Sequence, residues 1–153
     1  MKTVHFVRHG ETEQNKDGIW QGHTNTQLSK TGKAQAKLLS KRINLKNQTV
    51  FTSDLARAKE TAYFLSDSPN VRENLREINV GDFTGKSVKE TYSNNLDIFD
   101  ALQDDTYVFP NGESVQEFKQ RVHQEVDYIF DNIDEDSECI VVTHGFFICL
   151  LYT

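Results

Sequence analysis

The sequence predicts an α/β layered fold, and three observations carry that expectation. Short runs of apolar, β-favouring residues alternate along the chain with longer segments whose apolar positions recur at helical spacing, the order that gives a sheet covered by helices. Two of those runs, Val4-His5-Phe6-Val7 and Ile140-Val141-Val142-Thr143, switch within one residue to polar Arg8-His9-Gly10-Glu11 and to His144-Gly145. In open α/β sheets the ligand crevice lies outside the carboxyl ends of the strands, so both strands would deliver a histidine and a glycine to that rim. Finally, 153 residues are enough to bury a core without disulfides or a structural metal, and no repeat or linker divides the chain. A single domain over 1–153 is expected.

The elements follow in order. After the first strand, Glu11 to Leu28 is polar and aperiodic, longer than a plain connector, and loops of that kind are usually functional. Ser29 or Thr31 can cap a helix through Ala34, Leu38, Leu39 and Ile43. Val50-Phe51-Thr52 is a short strand, and Ser53 an N-cap for a helix through Leu55, Ala58, Ala62 and Leu65. Arg57 sits in that helix's first turn, where the dipole and free N–H groups favour anions; a cation there is either a solvated arginine or the partner of a bound anion. Val71-Arg72-Glu73 reads as a further strand, and Leu75 to Gly85, with Gly81 and Gly85, as a shaped loop. Ser87 and Glu90 form a capping box opening a modest helix through Val88, Tyr92, Leu96 and Phe99, weakened by Asn94-Asn95. A second box, Ser114 with Glu117, opens the clearest helix, with an apolar stripe of Val115, Phe118, Val122, Val126, Ile129 and Ile133. The acidic run Asp131 to Glu138 reads as a solvated loop before the last strand. Gly145 to Thr153 begins a helix of about two and a half turns.

Composition narrows the function. The formal charge of −6 argues against a nucleic-acid or anionic-membrane partner, so positive charge at any site must be local. No basic-then-apolar leader opens the chain, and no apolar run approaches the roughly 20 residues that span a bilayer, so a soluble, cytoplasmic protein is the expectation. Cys139 and Cys149 lack metal-ligand spacing and read as core residues. His5 reads as a sheet or core residue, His123 as exposed, and His23 as a loop residue that could approach a substrate; Trp20 and Phe83 could line a pocket or pack beneath a loop.

Arg8, His9, Arg57, Glu77 and His144 each fall near a strand end, a helix start or a shaped loop. In these residues and their order the chain resembles the histidine phosphatase superfamily, the phosphoglycerate mutase-like proteins. Arg8-His9-Gly10-Glu11-Thr12 matches that family's opening signature, and Asn15, Gln21-Gly22, Leu28, Thr31-Gly32 and Gln35-Ala36 its continuation. Ser53 to Ala62 matches the second block, Glu77 with Gly81 and Gly85 the third, and Thr143-His144-Gly145 the last. Four blocks in the right order are specific where Arg-His-Gly alone is not. The resemblance implies a three-layer sandwich, with a mostly parallel sheet flanked by helices. It also implies His9 as nucleophile through a phosphohistidine, His144 as a catalytic partner, and Arg8, Arg57, Asn15, Gln21 and Gly22 as substrate-binding residues, without metal or cofactor.

That chemistry is physically coherent. A transferring phosphoryl group spreads negative charge over its oxygens, and two guanidinium forks, a second imidazole and an amide are suitable donors. A neutral imidazole can attack phosphorus if its other nitrogen donates to a fixed acceptor, which spacing does not identify. Glu11, Glu73 and Glu77 are all available to protonate the leaving oxygen, and the resemblance selects Glu77, whose pKa must then be raised. The leading expectation is a metal-independent phosphatase acting on a small phosphate ester. A mutase would use the same residues, although Gln21-Gly22 departs from the mutase-like Gly-Trp and the stretch after Glu77 is short. A silent phospholigand-binding module and a metallohydrolase using His9, His144 and Glu77 are the other readings; two adjacent arginines disfavour the last. Family members usually continue beyond the final helix, so the chain is either a short member or a fragment.

Overall fold

The computed structural model describes residues 1–43, 48–93 and 98–152. Four strands, β1 (Thr3–Arg8), β2 (Thr49–Ser53), β3 (Asn70–Arg72) and β4 (Glu138–Thr143), form one sheet in the order β1-β4-β2-β3, with every pairing parallel. Their carboxyl ends therefore share one rim. The register sets what stands there: Arg8 lies opposite Thr143, and the His9 N–H donates to the Thr143 carbonyl at 3.0 Å. His9 and His144 consequently leave adjacent strands side by side.

The seven helices among the described residues are α1 (Glu13–Lys16), α2 (Lys30–Arg42), α3 (Ala56–Tyr63), α4 (Val88–Ser93), α5 (Ile98–Gln103), α6 (Val115–Asp131) and α7 (Gly145–Leu150). Alternation along β4 divides the core in two. Ile140 and Val142 join Val50, Ala58, Ala62 and Leu65 beneath α2 and α3, whereas Cys139 and Val141 join Phe51, Phe118, Val122, Ile129 and Phe147 beneath α6 and α7. The result is the expected three-layer sandwich. Burial on both faces explains why β4 reads as a continuous apolar run. No helix among the described residues is long and apolar enough to cross a membrane.

Several local expectations change. Ser29, not Thr31, caps α2, accepting from the Gly32 N–H at 3.0 Å. The face of α2 turned inward carries Gly32, Ala36, Leu39 and Ile43, while Ala34 is exposed and Leu38 is 50 % exposed. Close approach decides this: a Cβ on Gly32 would meet the Glu11 carbonyl oxygen at 2.1 Å, so only glycine lets the helix start press against the segment after β1. Ser53 ends β2 and does not cap α3, whose N-cap is Leu55 with no side-chain bond. The long first loop contains the short α1, capped by Thr12 and Asn15. Of the expected Val88–Phe99 helix, α4 and the start of α5 lie within the described residues, and Leu96 lies outside them.

The Ser114–Glu117 capping box is present as read. The inward face of α6 also buries Glu125, 1 % exposed, which takes a two-point ion pair from Arg72 at 2.6 and 3.0 Å; a carboxylate in an apolar stripe is tolerable only when so paired. Cys139 is buried but Cys149 is exposed, so only one cysteine belongs to the core. His123 is exposed, and His5, on the edge strand, is exposed beside Glu138 at 3.5 Å.

Candidate active site

At the end of β1 the chain turns through Gly10, where no side chain fits: a Cβ would lie 2.5 Å from the Gly32 carbonyl oxygen. The Gly10 carbonyl lies against its neighbour's ring, 2.7 Å from His9 Nδ1. Arg57, on the first turn of α3, brings Nε to 3.2 Å from His9 Nε2. A guanidinium N–H can only donate, so Nε2 accepts and the ring proton resides on Nδ1, donating to Gly10. The acceptor that sequence could not identify is thus a backbone carbonyl. Burial, opposed by the Gly10 contact and assisted by Arg57 and Arg8, lowers the His9 pKa to about 3, so the ring is neutral with a lone pair on Nε2.

Arg57 is 1 % exposed. Its Nη1 donates to the Thr24 carbonyl at 2.7 Å and its Nη2 to the Gly22 carbonyl at 2.8 Å, clasping the first loop onto α3. Burial and Arg8 lower its pKa to about 10 while Glu77 opposes, which leaves it charged at neutral pH. Arg8 is exposed and has no hydrogen bond or ion pair to any described residue, a free fork of donors beside the pocket. The Asn15 side-chain oxygen accepts from the Thr12 N–H at 3.1 Å, and Gln21 Oε1 accepts from the Thr26 hydroxyl at 2.7 Å. With their oxygens held, both amides keep their N–H groups for a ligand.

Glu77 accepts from the Ile78 N–H at 3.1 Å and the Phe146 N–H at 3.2 Å, and its pKa is nevertheless raised because desolvation outweighs those bonds and both arginines. His23 Nε2 lies 2.7 Å from the Glu77 carbonyl oxygen, so that histidine braces Glu77's backbone. Arg121 of α6 braces the same segment, donating to the carbonyls of Asn74, Arg76 and Glu77 while paired with Glu113. Backbone targets leave no pattern in sequence, and Arg121 carried no signal there.

His144 is completely buried, with its ring centroid 5.1 Å from that of His9. Its Nε2 lies 2.8 Å from the Ser53 hydroxyl, and its Nδ1 has no partner among the described residues. Burial holds its pKa well below the ordinary value. Ser53 therefore braces an imidazole. Arg8, His9, Asn15, Gln21, Gly22, Arg57 and Glu77 all line one pocket of about 170 Å³. His144 stands behind His9 and does not line it. Of the two uncertain aromatics, Trp20 lines the pocket and Phe83 packs behind it, with ring centroids 6.5 Å apart. Among the described residues no group of three or more His, Cys, Asp or Glu side chains is placed to hold a metal ion.

A family model of the histidine phosphatase superfamily (branch 1) matches residues 4–153. The chain belongs to that superfamily. Within it, the chain is 32 % identical over 150 residues to the metal-independent phosphoserine phosphatase of Arabidopsis thaliana, covering 92 % of this chain and 63 % of that protein. It is 32 % identical over 152 residues to the probable phosphoglycerate mutase GpmB of Erwinia tasmaniensis, covering 95 % and 70 %. Among solved histidine phosphatase structures, a phosphoglycerate mutase from Thermus thermophilus superposes with a TM-score of 0.77 at 30 % identity, over 96 % of this chain and 80 % of that one. Relatives of this superfamily member thus carry both phosphatase and mutase names.

Proposed function

We propose that the protein is a phosphomonoesterase that hydrolyses a small phosphate ester without a metal ion, through a covalent intermediate on His9 Nε2. The observation that carries this reading is the neutral His9 ring, its proton engaged by Gly10 and its lone pair beside a buried guanidinium. In the first step Nε2 bonds to phosphorus as the bond to the leaving oxygen breaks. Arg57 and Arg8 balance charge on the phosphoryl oxygens, with Asn15 and Gln21 adding neutral donors. Arg57 Nε exchanges the imidazole for a phosphoryl oxygen as the group enters. The positive charge that develops on the ring is spread through Nδ1–H to the Gly10 carbonyl. His144 walls the nucleophile from behind and keeps it desolvated.

Glu77, protonated through its raised pKa, gives its proton to the leaving alcohol. In the second step it takes a proton from water, which attacks phosphorus and frees His9. Ester and water become alcohol and inorganic phosphate, and the site returns to its starting state. Hydrolysis of p-nitrophenyl phosphate with chelator present, combined with mapping of an acid-labile, alkali-stable ³²P label under alkaline conditions, tests the reading. Turnover and labelling of His9, both lost in His9→Ala, are expected; turnover that survives in His9→Ala would overturn it. Incubation with 3-phosphoglycerate, scored for free phosphate against isomer, separates hydrolysis from mutase transfer.

A further inference from the structure

Beyond the groups that meet the phosphoryl oxygens, the pocket wall is apolar: Ile19, Trp20, Val80, Val88 and Phe146. Trp20 and Phe146 are stacked, with centroids 6.0 Å apart and planes 24° from parallel. This wall is tied together by backbone bonds before any ligand arrives. The Trp20 N–H donates to the Lys86 carbonyl at 3.0 Å, the Gly85 N–H to the Trp20 carbonyl at 2.9 Å, and the Val88 N–H to the Gly18 carbonyl at 2.8 Å. Among the described lining residues, the only cations are the two arginines already assigned to phosphate, and the only acidic group is the Glu77 carboxyl, the proton donor.

A second, polar recess adjoins Arg8, His9 and Asn15 and adds Glu11 and Gln35. Glu77 is absent from it. The proton donor must stand on the leaving-group side, so the alcohol lies in the apolar pocket with Glu77 and the polar recess faces the phosphoryl group.

We propose that the preferred substrate is a phosphate ester of an uncharged alcohol with a flat, apolar body seated on the Trp20–Phe146 wall, and that esters whose alcohol carries a carboxylate, phosphoserine and phosphoglycerates included, are disfavoured. A carboxylate in this pocket would lose water and find no cation to replace it. An aromatic ring loses only unfavourable hydration and gains a stacking face. The inference rests on the phosphomonoesterase reading for which group leaves, but its test does not depend on turnover.

Calorimetric titration of the intact protein with benzylphosphonate and with the phosphonate analogue of phosphoserine compares the two leaving-group chemistries in the absence of reaction. Benzylphosphonate is expected to bind at least about tenfold more tightly, the scale of burying one ring face. The substitution Val88→Lys, at the partly exposed start of α4, supplies the missing cation and should narrow that ratio; Phe146→Ala should narrow it by weakening benzylphosphonate alone. Equal or tighter binding of the phosphoserine analogue to the unmodified protein would overturn the proposal, as would an unchanged ratio in both variants. Where turnover occurs, benzyl phosphate should exceed phosphoserine and 3-phosphoglycerate in kcat/KM, alkyl esters of comparable leaving groups being compared throughout. Loss of p-nitrophenyl phosphate hydrolysis with the binding preference intact would instead refute the catalytic reading and leave the ligand class standing.

Discussion

Acidification should unfold this protein through His9, and the size of the effect follows from the site. The ring's pKa falls from an ordinary 6.5 to about 3 in the folded chain, because burial and two guanidinium groups oppose its charge. Below pH 6.5 the unfolded chain takes up a proton that the folded chain refuses. The stability contributed by the neutral ring is therefore complete above that pH and is lost progressively down to about pH 3. Between pH 7.5 and 5.0 the loss spans about 1.5 units at about 1.4 kcal/mol each, or about 2 kcal/mol from this one side chain. Urea unfolding at both pH values, on the parent and on His9→Gln, measures it. The parent should lose about 2 kcal/mol more than the variant, a midpoint difference of about 1 M for a urea slope near 2 kcal/mol/M. His144, also held neutral by burial, is common to both proteins and drops out of the comparison. An equal acid loss in the two proteins would show that His9 is not held neutral by its surroundings, and the account of its nucleophilicity would fail with it.

Other consequences can be checked independently. Glu77→Gln should lower kcat on an alkyl phosphate by about 10²–10⁴-fold and remove the alkaline limb of its pH profile, because the acid form is lost as pH rises through the raised Glu77 pKa. With p-nitrophenyl phosphate, whose leaving group needs no proton, the same variant should show a burst of nitrophenol followed by slow turnover. Arg57→Ala leaves the buried Gly22 carbonyl and the part-buried Thr24 carbonyl without donors, at about 1–3 kcal/mol for the first and less for the second, and thermal unfolding should register the sum alongside a loss of activity. Gly81→Ala should destabilise by more than the about 1–3 kcal/mol of a strained backbone, since φ is +51° and a Cβ would lie 2.1 Å from the Pro110 carbonyl oxygen; chemical denaturation measures this.

Sequence alone determined the architecture, because period and punctuation are local. The apolar run of β4, the Ser114–Glu117 box and the stripe on α6 all appear where hydrophobic spacing and capping chemistry put them. It also marked Arg8, His9, Arg57 and His144, since such groups at strand ends and helix starts stand out against their neighbours, whereas Glu77 was set apart from Glu11 and Glu73 only by the family resemblance. Tertiary structure decided everything that depends on backbone atoms or on which face turns inward. Helical spacing describes an apolar face without fixing its phase, so α2 was legible as a helix while its buried side, set by the contact of Gly32 with Glu11, was not. The acceptor for His9, the carbonyls clasped by Arg57 and those braced by Arg121 are main-chain groups that any residue supplies. Ser53 looked like a helix cap because a hydroxyl before a helix usually is one; only the parallel pairing of β2 with β4 brings it to His144. Side-chain identity shows which chemistry is available, and strand register decides which of those groups meet.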